Sequence, residues 1–186
     1  MSVTTRNRLV GLVLALAVFA IDRFVKGLML GPLQLREVGH IDLLPFFDLT
    51  WTQNYGVSLG MFTATSAEMR WMLVALTGVI ALVVLVWMMR EKALADIAAL
   101  ALILGGALGN IRDRSFYGYV IDYADFHIGT FRPFLIFNIA DAAITFGVLI
   151  ILARSLFLRE KRDTKGDAPA NDDPAAQSVD PAAETN

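Results

Sequence analysis

Four long apolar stretches constrain this chain more than any other feature. They are Leu9 to Leu30, Trp71 to Met89, Ala93 to Gly109 and Phe134 to Leu158. A helix needs about 20 mostly apolar residues to cross the hydrocarbon core of a bilayer. The third stretch is near the short limit, and charged residues between Asp22 and Lys26 interrupt the first. We therefore predict an all-α membrane protein with four transmembrane helices.

The composition excludes several classes of protein. Of the 186 residues, 56% are hydrophobic, which is more than an ordinary soluble domain contains. Because there is no cysteine, the chain has no thiolate nucleophile and no disulfide. Neither H-E-x-x-H nor G-x-S-x-G occurs. We expect no metal and no cofactor, and we expect His40 and His127 to lie in surface loops.

Positive charges near the ends of the apolar stretches predict the orientation in the membrane. Arg6 and Arg8 precede the first stretch, Arg90 and Lys92 separate the second from the third, and a further basic cluster follows the fourth. Because Lys and Arg accumulate in cytoplasmic segments, both termini are predicted to lie in the cytoplasm. No Ala-x-Ala-like cleavage site follows the first stretch, so we interpret it as a retained helix rather than a signal peptide.

Two long connections, Gly31 to Arg70 and Asn110 to Pro133, then lie on the outer side of the membrane. In the first, Phe47 to Thr52 alternates partly at period two and is rich in aromatic and β-branched residues, which predicts a strand. We expect a small extracytoplasmic β-sheet (a cradle) within residues 31–68, as part of a membrane domain 1–158. The acidic residues 159–186, rich in Pro and Ala, predict a disordered cytoplasmic tail.

Polar residues in or beside the apolar stretches indicate a functional site, because they are costly in a bilayer. Asp22 and Lys26 are four residues apart on the first helix and can form an ion pair. If the third helix continues past its apolar part, Asn110, Asp113 and Arg114 form one polar face. Arg114 can then pair with Asp113, or its guanidinium can hold another anionic group.

Two aspartates, Asp122 and Asp141, lie at the same predicted membrane level, and Asn138 shares a helical face with Asp141. Two neighbouring carboxylates titrate apart, so one can donate a proton while the other accepts one from water. This is acid–base chemistry without cysteine, histidine or metal. The residues alone leave three hypotheses open: a membrane protease, a proton-coupled transporter and a non-enzymatic bundle. The transporter is disfavoured because the acidic residues cluster at one face of the membrane.

Five segments together resemble the lipoprotein signal peptidases, also called signal peptidase II. The segments are Asp22-x-x-x-Lys26, Asn54-x-Gly56-Val57-Ser58, Gly105-Gly106-Ala107-x-Gly109-Asn110-x-x-Asp113-Arg114, Val120-x-Asp122-Tyr123 and Phe137-Asn138-x-Ala140-Asp141. The match covers most of residues 9 to 158. It departs from the family at Val25, where a hydroxyl residue is common.

The resemblance implies an aspartic endopeptidase of the bacterial inner membrane, with its active site at the periplasmic face. Such enzymes remove the signal peptide from a prolipoprotein whose lipobox cysteine carries a diacylglyceryl group, and they cut on the N-terminal side of that cysteine. The family's catalytic aspartates map to Asp122 and Asp141. Its substrate-binding and supporting residues map to Asp22, Lys26, Asn54, Gly56, Asn110, Asp113, Arg114, Asn138 and Ala140.

The resemblance also implies the partners of the protein. We expect prolipoproteins with a lipobox cysteine, membrane lipid and the cyclic peptide antibiotic globomycin, and we expect no nucleic acid. A monomer is the expected state, because four membrane helices can enclose one substrate groove.

Overall fold

The computed structural model describes residues 2–56 and 67–166, with side chains described as far as Leu156. Within these residues the helices and strands follow one another in a simple order. They are α1 (Val3–Leu30), α2 (Leu35–Val38), β1 (His40–Leu44), β2 (Phe47–Asn54), α3 (Ala67–Arg90), α4 (Leu94–Tyr117), β3 (Val120–Phe126) and α5 (Ile139–Gly166). Val57 and Ser58 of the segment Asn54-x-Gly56-Val57-Ser58 lie outside the described residues.

Three of the described helices are long and apolar enough to cross a membrane. They are α3, α4 and the part Ile139–Leu156 of α5. Helix α1 has 28 residues, about 42 Å at 1.5 Å per residue, but it carries charges at both ends and is not among the three. The described structure therefore accounts for three of the four expected spans.

Helix α4 is the most enclosed of these spans. In α4, 50% of the apolar segment is buried inside the protein, compared with 17% in α3 and 17% in α5. Apolar side chains that protein does not cover, such as Leu82 on α3 and Leu152 on α5, are suited to contact with lipid. The central place of α4 matters because its outer end carries the polar residues of the site.

Small residues on α4 let the neighbouring helices approach closely. A Cβ atom on Gly105 would lie 2.5 Å from the carbonyl oxygen of Ala15 on α1. Buried side chains of α1, α3 and α4, including Ala15, Met88, Ile97 and Leu104, form one core cluster. The glycines are therefore needed for packing, which sets the distance between α1 and α4.

The three strands form one antiparallel sheet in the order β1-β2-β3. The expected sheet within residues 31–68 is thus incomplete, because β3 comes from residues 120–126 and pairs with β2. Strand β3 was missed because it does not alternate: its residues from Val120 to Asp125 are all buried, and they include two aspartates. Its register places Asp122 opposite Thr52.

The fourth apolar stretch does not start as a helix at Phe134, as expected, but at Ile139. Phe137 is extended, since its N–H donates to the carbonyl oxygen of Ala124 at 3.1 Å and its own carbonyl accepts from the N–H of Ala124 at 2.8 Å. Because of this pairing, α5 begins only after Phe137, and its first turn lies against β3.

Both ends of the bundle differ from the expected boundaries. Helix α4 continues through Tyr117 and ends at Gly118, whose φ of 85° suits glycine. The polar face from Asn110 to Arg114 is therefore helical, as the sequence analysis required.

Helix α5 continues to Gly166, beyond the expected domain boundary at residue 158, because residues 159–162 are good helix formers. The chain divides into the units Met1–Ala153 and Arg154–Asn186, and the described part of the second unit is helical. Residues 167–186 of the expected tail lie outside the described residues.

Candidate active site

Asp122 is a buried carboxylate on β3, with 1% of its surface exposed. Its Oδ2 accepts a hydrogen bond from Asn54 Nδ2 at 3.0 Å, and its Oδ1 accepts one from Asn138 Nδ2 at 2.6 Å. Burial and the nearby charge of Asp141 raise the pKa of Asp122 to about 7, against the opposing effect of the two amide donors. Asp122 can therefore hold a proton near neutral pH.

Asp141 lies in the first turn of α5 and is joined to Asn138 in both directions. The N–H of Asp141 donates to Asn138 Oδ1 at 2.9 Å, and the N–H of Asn138 donates to Asp141 Oδ2 at 3.3 Å. This is a capping box, in which Asn138 precedes the helix and Asp141 is its third residue. The capping box thus places the Asp141 carboxylate beside Asn138, which also donates to Asp122.

Asn110 connects α4 to this pair. Its Nδ2 donates to Asp141 Oδ1 at 2.8 Å, and its Oδ1 accepts from Lys26 Nζ at 3.4 Å. Asn138 Nδ2 lies 3.4 Å from the same Asn110 oxygen. The two asparagines therefore orient each other, and each donates to one of the two aspartates.

A buried ion cluster supports the site from α1 and α4. Lys26 Nζ lies 3.0 Å from Asp22 Oδ2 and 2.7 Å from Asp113 Oδ2, and all three side chains have no exposed surface. Arg23 Nη1 lies 2.7 Å from Asp113 Oδ1. Buried charges are tolerated only when they are paired in this way. The predicted pair of Asp22 and Lys26 is confirmed, and Asp113 is its third member.

The ion cluster also holds the start of α5. Asp22 Oδ1 accepts from the N–H of Ala140 at 3.1 Å, which satisfies a donor that has no partner within the helix. A Cβ atom on Gly109 would lie 2.6 Å from Asp22 Oδ2 and 3.4 Å from the Cβ of Ala140. Gly109 and Ala140 are therefore small because α1, α4 and α5 meet there.

Asn54 and Gly56 form a turn at the end of β2. Asn54 Oδ1 accepts from the N–H of Gly56 at 2.9 Å, so its amide group is left to donate to Asp122. Gly56 has a φ of 94°, and a Cβ there would lie 2.8 Å from Leu73 and 3.3 Å from Arg114 Nε. Glycine is required both for the conformation and for the close approach of Arg114.

Two details of the site differ from the sequence analysis. Asp113 pairs with Arg23, Lys26 and, at 3.8 Å, Arg112, whereas Arg114 lies against Gly56. Arg23 was missed as a member of the site. Its position beside Asp22 in an apolar stretch was the available signal, since a charge there needs a partner.

Two cavities flank the carboxylate pair. One of about 600 Å³ is lined by Asn54, Gly56 and Asp122, and the other, of about 300 Å³, is lined by Asp141. The exposed apolar side chains of Phe134 and Leu135 line both. The arrangement can carry out acid–base chemistry on a partly apolar substrate at the end of a membrane helix bundle. The fold and site thus define a membrane enzyme.

Comparison with known proteins agrees with this class and narrows it. The family model described as signal peptidase (SPase) II matches residues 14–157. Lipoprotein signal peptidase of Sphingopyxis alaskensis is 52% identical over 162 residues, covering 87% of this chain and 94% of that protein. The protein of the same name from Rhizorhabdus wittichii is 51% identical over 156 residues, covering 84% and 91%.

Solved structures resemble the chain as well. A bacterial membrane enzyme solved by the in meso method at 2.3 Å resolution has a TM-score of 0.69 and 25% identity, covering 87% of this chain and 93% of that one. A second, at 1.9 Å resolution, has a TM-score of 0.68 and 27% identity, covering 79% and 92%. The chain belongs to the signal peptidase II family, and it is a protease of the membrane.

Proposed function

We propose that this protein is an aspartic endopeptidase that removes the signal peptide from diacylglyceryl-modified prolipoproteins, cutting on the N-terminal side of the lipidated cysteine. The observation that carries the proposal is the position of Asn138, which is hydrogen-bonded to both Asp122 and Asp141. The names of the relatives support the substrate class. The two carboxylates support the aspartic type. Each accepts a hydrogen bond from an asparagine amide, and the chain has no cysteine that could serve as the nucleophile.

In the proposed mechanism the pair holds one proton, carried by Asp122, whose pKa of about 7 suits a general acid at neutral pH. Asp141 removes a proton from water, and the hydroxide attacks the scissile carbonyl carbon. Asp122 donates its proton to the carbonyl oxygen, which gives a tetrahedral intermediate. As the C–N bond breaks, Asp141 gives its proton to the leaving nitrogen and Asp122 recovers one from the hydroxyl group. Water is consumed, and both carboxyls return to their starting states.

The two cavities suggest how the substrate lies. The peptide reaches Asp122 through the larger cavity, where Asn54 ends β2. The acyl chains and the apolar signal segment lie against Phe134, Leu135 and the lipid-facing sides of the helices, where they remain in the bilayer. Globomycin, as a cyclic peptide inhibitor of this family, is proposed to occupy the same space.

The proposed membrane arrangement has α1 as a fourth span. Its charged residues Asp22 and Lys26 are buried against α4, while Leu16 and Phe24 are exposed to the surroundings. Basic residues near the other ends of the apolar stretches support a cytoplasmic location of both termini in a bacterium. The carboxylate pair and the sheet then lie at the periplasmic face of the inner membrane. One bundle contains every proposed site residue, so we propose a monomer.

The test uses purified full-length protein in detergent and a diacylglyceryl-modified prolipoprotein, with cleavage followed by gel shift. Asp122→Asn and Asp141→Asn should each abolish cleavage while the circular dichroism spectrum and elution volume stay normal. Asp96→Asn, at the opposite end of α4, is the matched control and should cleave like wild type. Normal cleavage by either dyad variant would refute the mechanism. No cleavage by folded wild type would favour the transporter, and proton flux into liposomes would be measured next.

A further inference from the structure

The two histidines of the chain meet at one carboxylate, at the end of the sheet away from Asp122. His40 begins β1, and His127 directly follows β3, although 86 residues of sequence separate them. The Nε2 atoms of His40 and His127 lie 3.6 Å and 2.8 Å from Asp48 Oδ2. His40 Nε2 also lies 3.0 Å from Asp42 Oδ1. His127 lies in a loop as expected, whereas His40 is exposed but belongs to strand β1 and not to a loop.

The other ring nitrogens of the two histidines also make hydrogen bonds. Thr50 Oγ1 donates to Asp125 Oδ2 at 3.1 Å, so it accepts from His40 Nδ1 at 2.8 Å. The carbonyl oxygen of Gly129 accepts from His127 Nδ1 at 3.2 Å. These bonds orient the two rings so that the Nε2 atom of each is directed at carboxylate oxygens. A cation between His40 Nε2 and the carboxylates of Asp42 and Asp48 would contact all three groups.

The aspartates of the three strands also favour a cation at this position. Asp42 is directly opposite Asp48 in the β1–β2 pair, and Asp48 is directly opposite Asp125 in the β2–β3 pair. Like charges directly opposite each other destabilise a sheet. Arg132 Nε lies 2.9 Å and 3.1 Å from the two oxygens of Asp125 and neutralises it. Asp42 and Asp48 instead face His40 and His127, and a divalent cation would add positive charge between them.

We propose that His40 Nε2, Asp42 and Asp48 bind a divalent transition-metal ion of the zinc type, and that His127 positions Asp48. Their three ligand atoms lie within 4.8 Å of one another. In a tetrahedral site with metal–ligand bonds of about 2.0–2.2 Å, ligand atoms are roughly 3.3 Å apart. The separations of 3.0 Å and 3.6 Å between His40 Nε2 and the oxygens of Asp42 and Asp48 bracket that value.

The surroundings resemble the outer shell of known metal sites. Histidine ligands usually donate their second N–H to a carboxylate or carbonyl, and His40 does so through Thr50 to Asp125. A cavity of about 410 Å³ beside Asp42 and Asp48 gives a hydrated ion access from solvent. Binding would tie β1 to β2, and so stabilise the sheet that carries Asp122 on its third strand.

The test measures binding of ZnCl₂ to the full-length protein in detergent by isothermal titration calorimetry at pH 7.5. The protein is purified through a tag without histidine and treated with chelator, which is then removed. We expect one Zn²⁺ per chain, affinity lowered at least about 100-fold in His40→Asn, and affinity lowered about 10–100-fold in His127→Asn. Glu37→Gln removes an exposed carboxylate outside the cluster and should bind like wild type.

Thermal unfolding supplies a second readout. Zn²⁺ should raise the unfolding midpoint of wild type and of Glu37→Gln, and should leave that of His40→Asn unchanged. The midpoints without metal show whether each variant is folded. Absence of binding to wild type, or equal binding by wild type and His40→Asn, would overturn the proposal.

Discussion

Replacing Asn138 by alanine tests the central contact of the site. The side chain donates from Nδ2 to Asp122 Oδ1 at 2.6 Å and to the carbonyl oxygen of Ile121 at 3.2 Å, while its Oδ1 caps the N–H of Asp141 at 2.9 Å. Alanine removes all three contacts. One substitution therefore affects both the proton affinity of Asp122 and the start of α5.

The magnitudes follow from the types of contact. A hydrogen bond to a charged group contributes about 1.5–3 kcal/mol, and each ~1.4 kcal/mol corresponds to one pKa unit. The donor stabilises the charged form of Asp122, so its loss raises the pKa of Asp122 further above its ordinary value. If Asp122 is the general acid, activity should persist to a pH about one unit higher. Loss of the helix cap should lower the free energy of unfolding by about 1 kcal/mol.

The assay is the pH dependence of the maximal cleavage rate in detergent, together with thermal unfolding of the same samples. Asn138→Ser is the matched control, since a serine hydroxyl still caps the N–H of Asp141 but is too short to replace the amide donor to Asp122. Serine should restore stability without restoring the pH profile. An alkaline limb at the wild-type position in both variants would refute the proposed role of Asp122 as the acid.

Three further predictions concern the support of the site and the tail. Lys26→Met leaves two buried carboxylates without their shared cation, and should lower the free energy of unfolding by about 3–5 kcal/mol in a denaturant titration. Gly109→Ala places a Cβ 2.6 Å from Asp22 Oδ2, and should cost about 1–3 kcal/mol in the same assay. Gly78→Ala is its control, because a Cβ there meets nothing within 4 Å, and it should be neutral or stabilising. Truncation after Lys165 should leave prolipoprotein cleavage in the gel-shift assay unchanged.

Each of these has a contrary outcome. An unfolding free energy of Lys26→Met equal to that of wild type would mean that the cluster contributes nothing to stability. Equal losses in Gly109→Ala and Gly78→Ala would show that the cost comes from the helix and not from contact with Asp22. Loss of cleavage by the truncated chain at normal protein level would assign a role to residues beyond Lys165.

Features set by neighbouring residues could be predicted from the sequence. The apolar stretches predicted the membrane class, because length and composition decide whether a helix can cross a bilayer. The ion pair of Asp22 and Lys26 was predictable, since residues four apart share a helix face. The strand at Phe47 was also predictable from its local pattern, whereas β3 was not, because burial on both faces removed its alternation.

The contacts between distant segments were decided by the tertiary structure alone. Sequence placed Asp122 and Asp141 at one membrane level, but only the pairing of Phe137 with Ala124 brings the start of α5 to β3, so that Asn138 reaches both. The same holds for the two histidines at Asp48, which meet because β1 and β3 both flank β2. Local periodicity specifies which face a side chain occupies within its own element. Strand register and helix packing, which join residues far apart in the chain, specify which faces meet.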